Sequence, residues 1–191
     1  WPGIREVPDK VYLQGYWQSE KYFVDVTAVL RADFAFREKL SAINAEWAER
    51  ISRCAAVSLH IRRGDYVSDS RTHAAHGVCS IDYYHAAVSH IADRVDSPVF
   101  FVFSDDIPWA RANFDIDYPC HFIDHNRGTE SYNDMRLMSL CRHHIIANSS
   151  FSWWGAWLNP DPDKIVIAPA RWFLAVDRQL DDLFPQGWVR L

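Results

Sequence analysis

The four cysteines, Cys54, Cys79, Cys120 and Cys141, are spread over 191 residues, and no two form a Cys-x-x-Cys pair. That spacing excludes a disulfide framework and predicts free, mostly buried thiols in a reducing compartment. No apolar run approaches the ~18 residues of a membrane span. No basic stretch followed by an apolar one opens the chain as a secretory leader would. Repeats and low-complexity tracts are lacking as well. So is any excess of positive charge: the net charge is −5, which gives no electrostatic reason to expect a nucleic-acid partner. Lysine is scarce, with four residues against sixteen arginines. Cationic recognition therefore falls to arginine, whose planar fork suits phosphate and carboxylate. The first residue is Trp1 rather than Met, so these are expected to be the later residues of a longer protein.

What is present is a globular composition, 49% hydrophobic and 24% charged, with nine tryptophans. A chain of this length buries roughly 70% of its unfolded surface, enough for a core of its own. Residues 1–22 read as irregular, punctuated by Gly3, Pro8 and Gly15. From Asp33 to Arg53 the pattern is helical, with Leu40, Ile43, Trp47 and Ile51 on one stripe. Ala55–Ile61 is a short apolar run ending in charge, the signature of a buried strand. Alternation follows. Helices are expected over Ser80–Val95, Pro108–Phe114, Ser131–Arg142 (Ser131 as N-cap) and Phe151–Leu158. Strands are expected over Val99–Phe103, His121–Ile123, His144–Ala147 and Lys164–Ala168. Such alternation predicts an α/β fold with a parallel sheet of Rossmann type. Ligands of such sheets bind at the carboxyl ends of the strands.

Four segments occupy those ends. After the first strand, His60-Ile61-Arg62-Arg63-Gly64-Asp65-Tyr66 sets two guanidinium groups over the crevice. Gly64 permits a tight turn, and Asp65 can hold an arginine in place. This arrangement suits a diphosphate, although an Arg–Asp pair bracing a turn would use the same residues. After the second strand come Asp105 and Asp106, either hydroxyl ligands or caps of the following helix. After the third comes a polar loop, Asp124 to Ser131. After the fourth, Asn148-Ser149-Ser150-Phe151 opens a helix whose free N–H groups form an anion site. Trp153 and Trp154 read as core. His73, His76 and Cys79 lack a fourth ligand for zinc. His76 is of more interest as an acid or base, because an imidazole titrates near neutrality. His143 and His144 read as structural, and Asp161-Pro162-Asp163 as a turn rather than a metal motif.

HIRRGDY (60–66), FVFSDD (101–106) and the run from Ser131 to Asn159 resemble glycosyltransferase family 11, the α-1,2-fucosyltransferases. GYWQSEKYF (15–23) and HGVCSIDYY (76–84) are similar to the same family. The resemblance implies the donor-binding half of a GT-B glycosyltransferase, in which two Rossmann-like domains face each other. It implies GDP-β-L-fucose as donor substrate, inversion at the anomeric carbon, a galactose-terminated glycan as acceptor, and neither cofactor nor metal. Residues 1–54 would be a linker and helical segment leading from an acceptor domain that this sequence lacks, and 55–191 the GDP-fucose-binding domain.

Carried onto this sequence, the resemblance makes Arg62 the diphosphate contact, with Arg63 supporting it and Asp65 ordering the pair. His60 and Asp134 would lie near the guanine or ribose. Gly64, Tyr66, Asp105, Asn148, Ser149, Ser150 and Phe151 complete the expected donor site. The general base is left open among Asp65, Asp69, His76 and Glu130. Two rivals stand beside this reading: an α-1,6- or other GDP-sugar transferase on the same scaffold, and a non-catalytic carbohydrate-binding module. Family habit and the free cysteines give an expectation of residence in the cytoplasm or peripherally at the membrane face.

Overall fold

The sheet starts where the apolar runs are densest. β1 (Ala55–Ile61) is buried along almost its whole length, and β2 (Pro98–Ser104) pairs with it in parallel from Ala55↔Pro98 to Ile61↔Ser104. A strand this apolar is stable only with both faces covered, and crossover helices cover them. The computed structural model, which describes residue 3, residues 6–174 and residues 180–191, shows that arrangement. β3 (Cys120–Ile123), β4 (His143–Ile145), β5 (Val166–Ala168) and the two-residue β6 (Val189–Arg190) complete a six-stranded parallel sheet in the order β3-β2-β1-β4-β5-β6. This is the doubly wound Rossmann-like order, and its direction reverses between β1 and β4.

Helices α1 (Thr27–Asp33), α2 (Ala42–Ser52), α3 (Gly64–Ser68), α4 (Ser70–His76), α5 (Ile81–Ala92), α6 (Ile107–Asn113), α7 (Tyr132–Leu140) and α8 (Ser150–Leu158) surround it. α5 and α6 cover one face, where Tyr84, Val88 and Ile91 meet Val57, Leu59 and Phe100. On the other face, Ile51 of α2 and Leu137 and Met138 of α7 meet Ala56, Phe101 and Phe103. α8 adds Trp153 and Trp157, packed with Phe23, Val166 and Trp172.

Most expected elements are present within two or three residues, and the differences have physical causes. The helical stretch expected over Asp33–Arg53 is helical only from Ala42 to Ser52 (α2); residues 34–41 are non-helical, and α1 ends at Asp33, where the expected helix begins. α3 and α4 lie in a segment read as loop. They have no apolar stripe and are fixed instead by the Asp69 carboxylate accepting the Thr72 N–H at 2.7 Å and by a His73 Nδ1 contact of 2.8 Å with the Tyr66 carbonyl. Ser131 does not cap α7 through its side chain, because its backbone is already helical (φ −60°, ψ −22°) and a cap needs extended geometry. Within the irregular stretch 1–22, residues 1, 2, 4 and 5 lie outside the described ones.

Buried polar groups are used structurally. The Asn159 amide donates to His144 Nε2 at 2.9 Å, so the proton of that neutral ring sits on Nδ1, facing Ser58 Oγ at 2.8 Å. Burial drives the His144 pKa well below its usual value. His143 accepts the Ile165 N–H, and Asp161 accepts the Asp163 N–H in the expected turn. Among the described residues no helix is long and apolar enough to cross a membrane.

Candidate active site

The strand reversal puts the carboxyl ends of β1 and β4 side by side, and the arginine turn (62–66) and the Asn148–Phe151 segment leave from those ends. β1 runs straight into Arg62. Its guanidinium bonds Asp65 Oδ1 at 2.6 Å, pairs with Asp105 Oδ2 at 3.1 Å and lies 5.2 Å from the centre of the Tyr66 ring. Asp105 also accepts the Arg63 backbone N–H at 2.8 Å. Both of its oxygens therefore fix the arginine turn, and it does not cap α6. That cap is Asp106, which accepts the Trp109 N–H at 3.1 Å. Gly64 is needed for space: an added methyl group would overlap the Asp105 carboxylate, whose Cγ would lie only 3.0 Å away.

Arg63 departs from the paired arrangement expected of it. Its guanidinium is 3.6 Å over the Trp109 ring and 3.9 Å from Asp106, on the α6 side, and it lines neither cavity described below. Stacking on an indole face holds it there. Arg62 alone faces the crevice.

From β4 the chain turns through Asn148 and Ser149 into α8. Ser149 makes no side-chain cap, so the first-turn N–H groups of α8 are left available to an anion. Asn148 is engaged on every side. Its amide donates to the carbonyls of His76, Gly77 and Trp172, its Oδ1 takes the Cys79 thiol, and its carbonyl takes the Tyr66 hydroxyl. It holds the walls together and has no donor left for a ligand.

Two cavities meet at Arg62 and Phe151. The first, about 460 Å³, is lined by His60, Asp105, Asn126, Asp134, Met138 and Phe151, with Ile107 and Pro108 on its apolar side. His60 is 4% exposed, and its Nδ1 has no partner. Burial, reinforced by Arg62, pulls its pKa down to about 3, so the imidazole is neutral. Asp134 accepts the Asn126 amide at 2.7 Å, and burial pushes its carboxyl up to about 6 against that hydrogen bond. Asn126 is held in turn by Asn44 of α2, at 2.9 Å and 3.0 Å.

The second cavity, about 710 Å³, is lined by Asp65, Tyr66, His76, Ser149, Ser150 and Phe173, with Tyr16 and Gln18 across from them. His76 stacks on Tyr66 at 4.8 Å, and burial is the main cause of its lowered pKa. Two of the four candidate bases, Asp65 and His76, therefore share a cavity with Arg62. Asp69 is turned to capping α4. Glu130 accepts the Asn133 amide, outside both cavities. Among the described residues no group of three or more His, Cys, Asp or Glu is arranged to hold a metal.

Tyr16, Gln18, Asn126 and Phe173 were not read from the sequence as site residues. Tyr16 and Gln18 carried a signal as part of the GYWQSEKYF stretch and Asn126 as part of the polar loop after the third strand; Phe173 carried none.

A protein-family comparison matches residues 5–191 to glycosyl transferase family 11. An α-1,2-colitosyltransferase of Escherichia coli is 41% identical over 182 residues, 93% of this chain and 61% of that protein. The O-antigen biosynthesis glycosyltransferase WbnK of E. coli is 44% identical over 135 residues, 70% of this chain and 44% of that protein. Galactoside α-(1,2)-fucosyltransferase 1 of Saimiri boliviensis boliviensis is 27% identical over 154 residues, 76% of this chain and 42% of that protein. The chain thus spans between 42% and 61% of the length of these relatives. No solved structure matches it.

Proposed function

Because the chain belongs to glycosyl transferase family 11, we propose that it is the donor-binding part of an inverting glycosyltransferase that moves L-fucose from GDP-β-L-fucose to the 2-hydroxyl of a terminal galactose. The observation that carries this reading is the convergence of Arg62 and the uncapped start of α8 where two cavities join. A diphosphate seated there would have its base on the Asp134 side and its sugar on the His76 side. Asp134, held by the Asn126 amide, offers an acceptor to a base edge, and His60 offers its unpartnered ring nitrogen.

In the reaction the 2-hydroxyl oxygen of galactose attacks C1 of fucose from the face opposite the nucleotide. The C1–O bond breaks, and its electron pair leaves on GDP. The hydroxyl proton passes to a base. Asp65 and His76 are the candidates within the cavity, and His76 is the stronger: its depressed pKa leaves the imbalance of protonation in favour of the neutral, accepting form at pH 7. Arg62 and the α8 amides neutralise charge growing on the departing diphosphate. They are fixed before the reaction, so no reorganisation opposes them.

The relative named for colitose transfer, at 41% identity, supports a second donor, the 3-deoxy counterpart of fucose. Residence in the cytoplasm, or peripherally at the membrane face, fits either donor.

Calorimetry with GDP, with UDP and ADP as controls and EDTA throughout, tests the donor site. Selective binding of GDP is expected, and no binding by the folded chain overturns the proposal. Arg62→Ala should lower transfer at least ~100-fold, the scale of losing one fixed oxyanion donor, with circular dichroism unchanged. Turnover near wild type would remove Arg62 from the mechanism. Competition between the fucose and colitose nucleotides decides the donor.

A further inference from the structure

Trp17 has a φ of 50°, the left-handed region that a bulky residue enters only at a cost. The structure holds it there from both sides. The Trp154 indole N–H, on α8, donates to the Tyr16 carbonyl at 3.4 Å, and the Trp17 ring meets Tyr22 edge-on at 5.3 Å. The turn so fixed sets Tyr16 and Gln18 along the second cavity. Tyr16 stands at its mouth, 78% exposed. Gln18 Nε2 is buried and has no hydrogen-bond partner, and His76 Nδ1, of the same lining, is in the same condition. An unpartnered buried polar atom is costly, so two of them lining one cavity mark groups that a ligand would satisfy. Tyr66, Phe173 and Trp172 bring aromatic rings to the same lining, beside Asp65, Thr72 and the α8 serines.

Hydrogen-bonding atoms beside aromatic rings in one cavity fit a sugar, with hydroxyls for the amide and imidazole and a C–H face for a ring. A 6-deoxyhexose fits such walls in particular, because its C5 methyl group requires no hydrogen-bond donor. The cavity shares Arg62 and Phe151 with the first one, so a sugar linked to a diphosphate at Arg62 projects into it. We infer that the Tyr16–Trp17–Gln18 turn recognises the donor sugar, and that Gln18 is a specificity-determining residue that separates a sugar nucleotide from the bare nucleotide. This inference rests on the nucleotide-sugar reading above.

The test compares GDP with GDP-β-L-fucose in titrations of the full chain as wild type, Gln18→Ala and Gln18→Glu. GDP affinity should stay within about twofold in both variants. GDP-fucose affinity should fall about fivefold to tenfold, the loss of one buried hydrogen bond. Unchanged GDP affinity also shows that the variants are folded. If both ligands weaken together, or neither does, the inference is overturned. If the full-length enzyme shows only a raised acceptor KM, the turn serves the acceptor and the inference is again overturned. Failure of the wild-type chain to bind GDP at all overturns instead the function on which the inference rests.

Discussion

Arg62 sits between two carboxylates, Asp65 at 2.6 Å and Asp105 at 3.1 Å, yet its side chain remains 29% exposed. Two anions around one guanidinium set its direction more than they neutralise it. Charge-assisted, fork-like bonds fix geometry, and exposed pairs contribute little stability. Gly64 makes that geometry possible by leaving room for Asp105. Gly64→Ala should therefore push Asp105 off Arg62 and weaken GDP binding about tenfold or more, with a loss of stability of only about 1 kcal/mol, because the site is a surface crevice. Equal GDP affinity for the two proteins in calorimetry would show that Asp105 does not set Arg62. At this scale the sequence is legible where neighbours in the chain are neighbours in space: Arg62, Gly64 and Asp65 could be read together. The outward turn of Arg63 could not, since its stacking partner Trp109 belongs to α6, and nothing in the arginine motif announces that contact. The fate of Asn148 was hidden for the same reason, its five partners being spread from Tyr66 to Trp172.

Among the elements, those with a strong apolar period were legible: β1, β2, α5 and α8 lie close to where the pattern sets them. α3 and α4 were not, because caps and a histidine–carbonyl contact shape them rather than an apolar face. α7 carries the element whose charge state matters most. It presents Asp134 to the first cavity from within its first turn, with a carboxyl pushed up to about 6 by burial. The sign follows from proton counts. Between the usual carboxylate value of 3.8 and about 6, the folded chain holds the Asp134 proton more tightly than the unfolded chain does. Stability from this group is thus fully present below 3.8 and is lost as pH rises towards 6, by roughly 3 kcal/mol at most. Asp134→Asn should remove that slope, so urea melts of the two proteins should diverge between pH 4 and 6 and run parallel above. If the ionised carboxylate accepts from the nucleotide base, GDP affinity should fall up to tenfold per unit below pH 6, and the variant should lose this dependence. Identical pH profiles for the two proteins would place Asp134 outside the ligand contact.

For the molecule as a whole, the sequence period revealed the sheet but not how residues before β1 join it. The family resemblance cast residues 1–54 as a linker and helical segment. In the structure they wrap the domain: Phe23 is buried among the α8 tryptophans, and Asn44 steadies the loop beside Asp134. Arg31 of α1 ties this wrap down. Its guanidinium donates to the Leu158 carbonyl at 2.8 Å, at the carboxyl end of α8, and lies 4.4 Å over the Trp157 ring. Lys164 donates to the neighbouring carbonyls of Ala156 and Asn159. α8 is therefore held at one end by two cations, and its other end, about 13 Å away, faces the position proposed for the diphosphate. The favourable orientation of its dipole is the same at both ends. Arg31→Met should leave the Leu158 carbonyl unmet, cost about 1–1.5 kcal/mol and lower Tm by about 2–6 °C for a chain of this size. Because residues 19–26 join the Tyr16–Gln18 turn to α1, and Phe23 among them packs on Trp157, the same substitution should narrow the preference for GDP-fucose over GDP while Lys164 keeps α8, and with it GDP affinity, near the wild-type level. Thermal unfolding followed by circular dichroism, paired with the two titrations, separates these effects. A lowered Tm with an unchanged preference would mean that the turn is positioned by Trp154 alone and that the wrap stabilises the domain without shaping its sugar pocket.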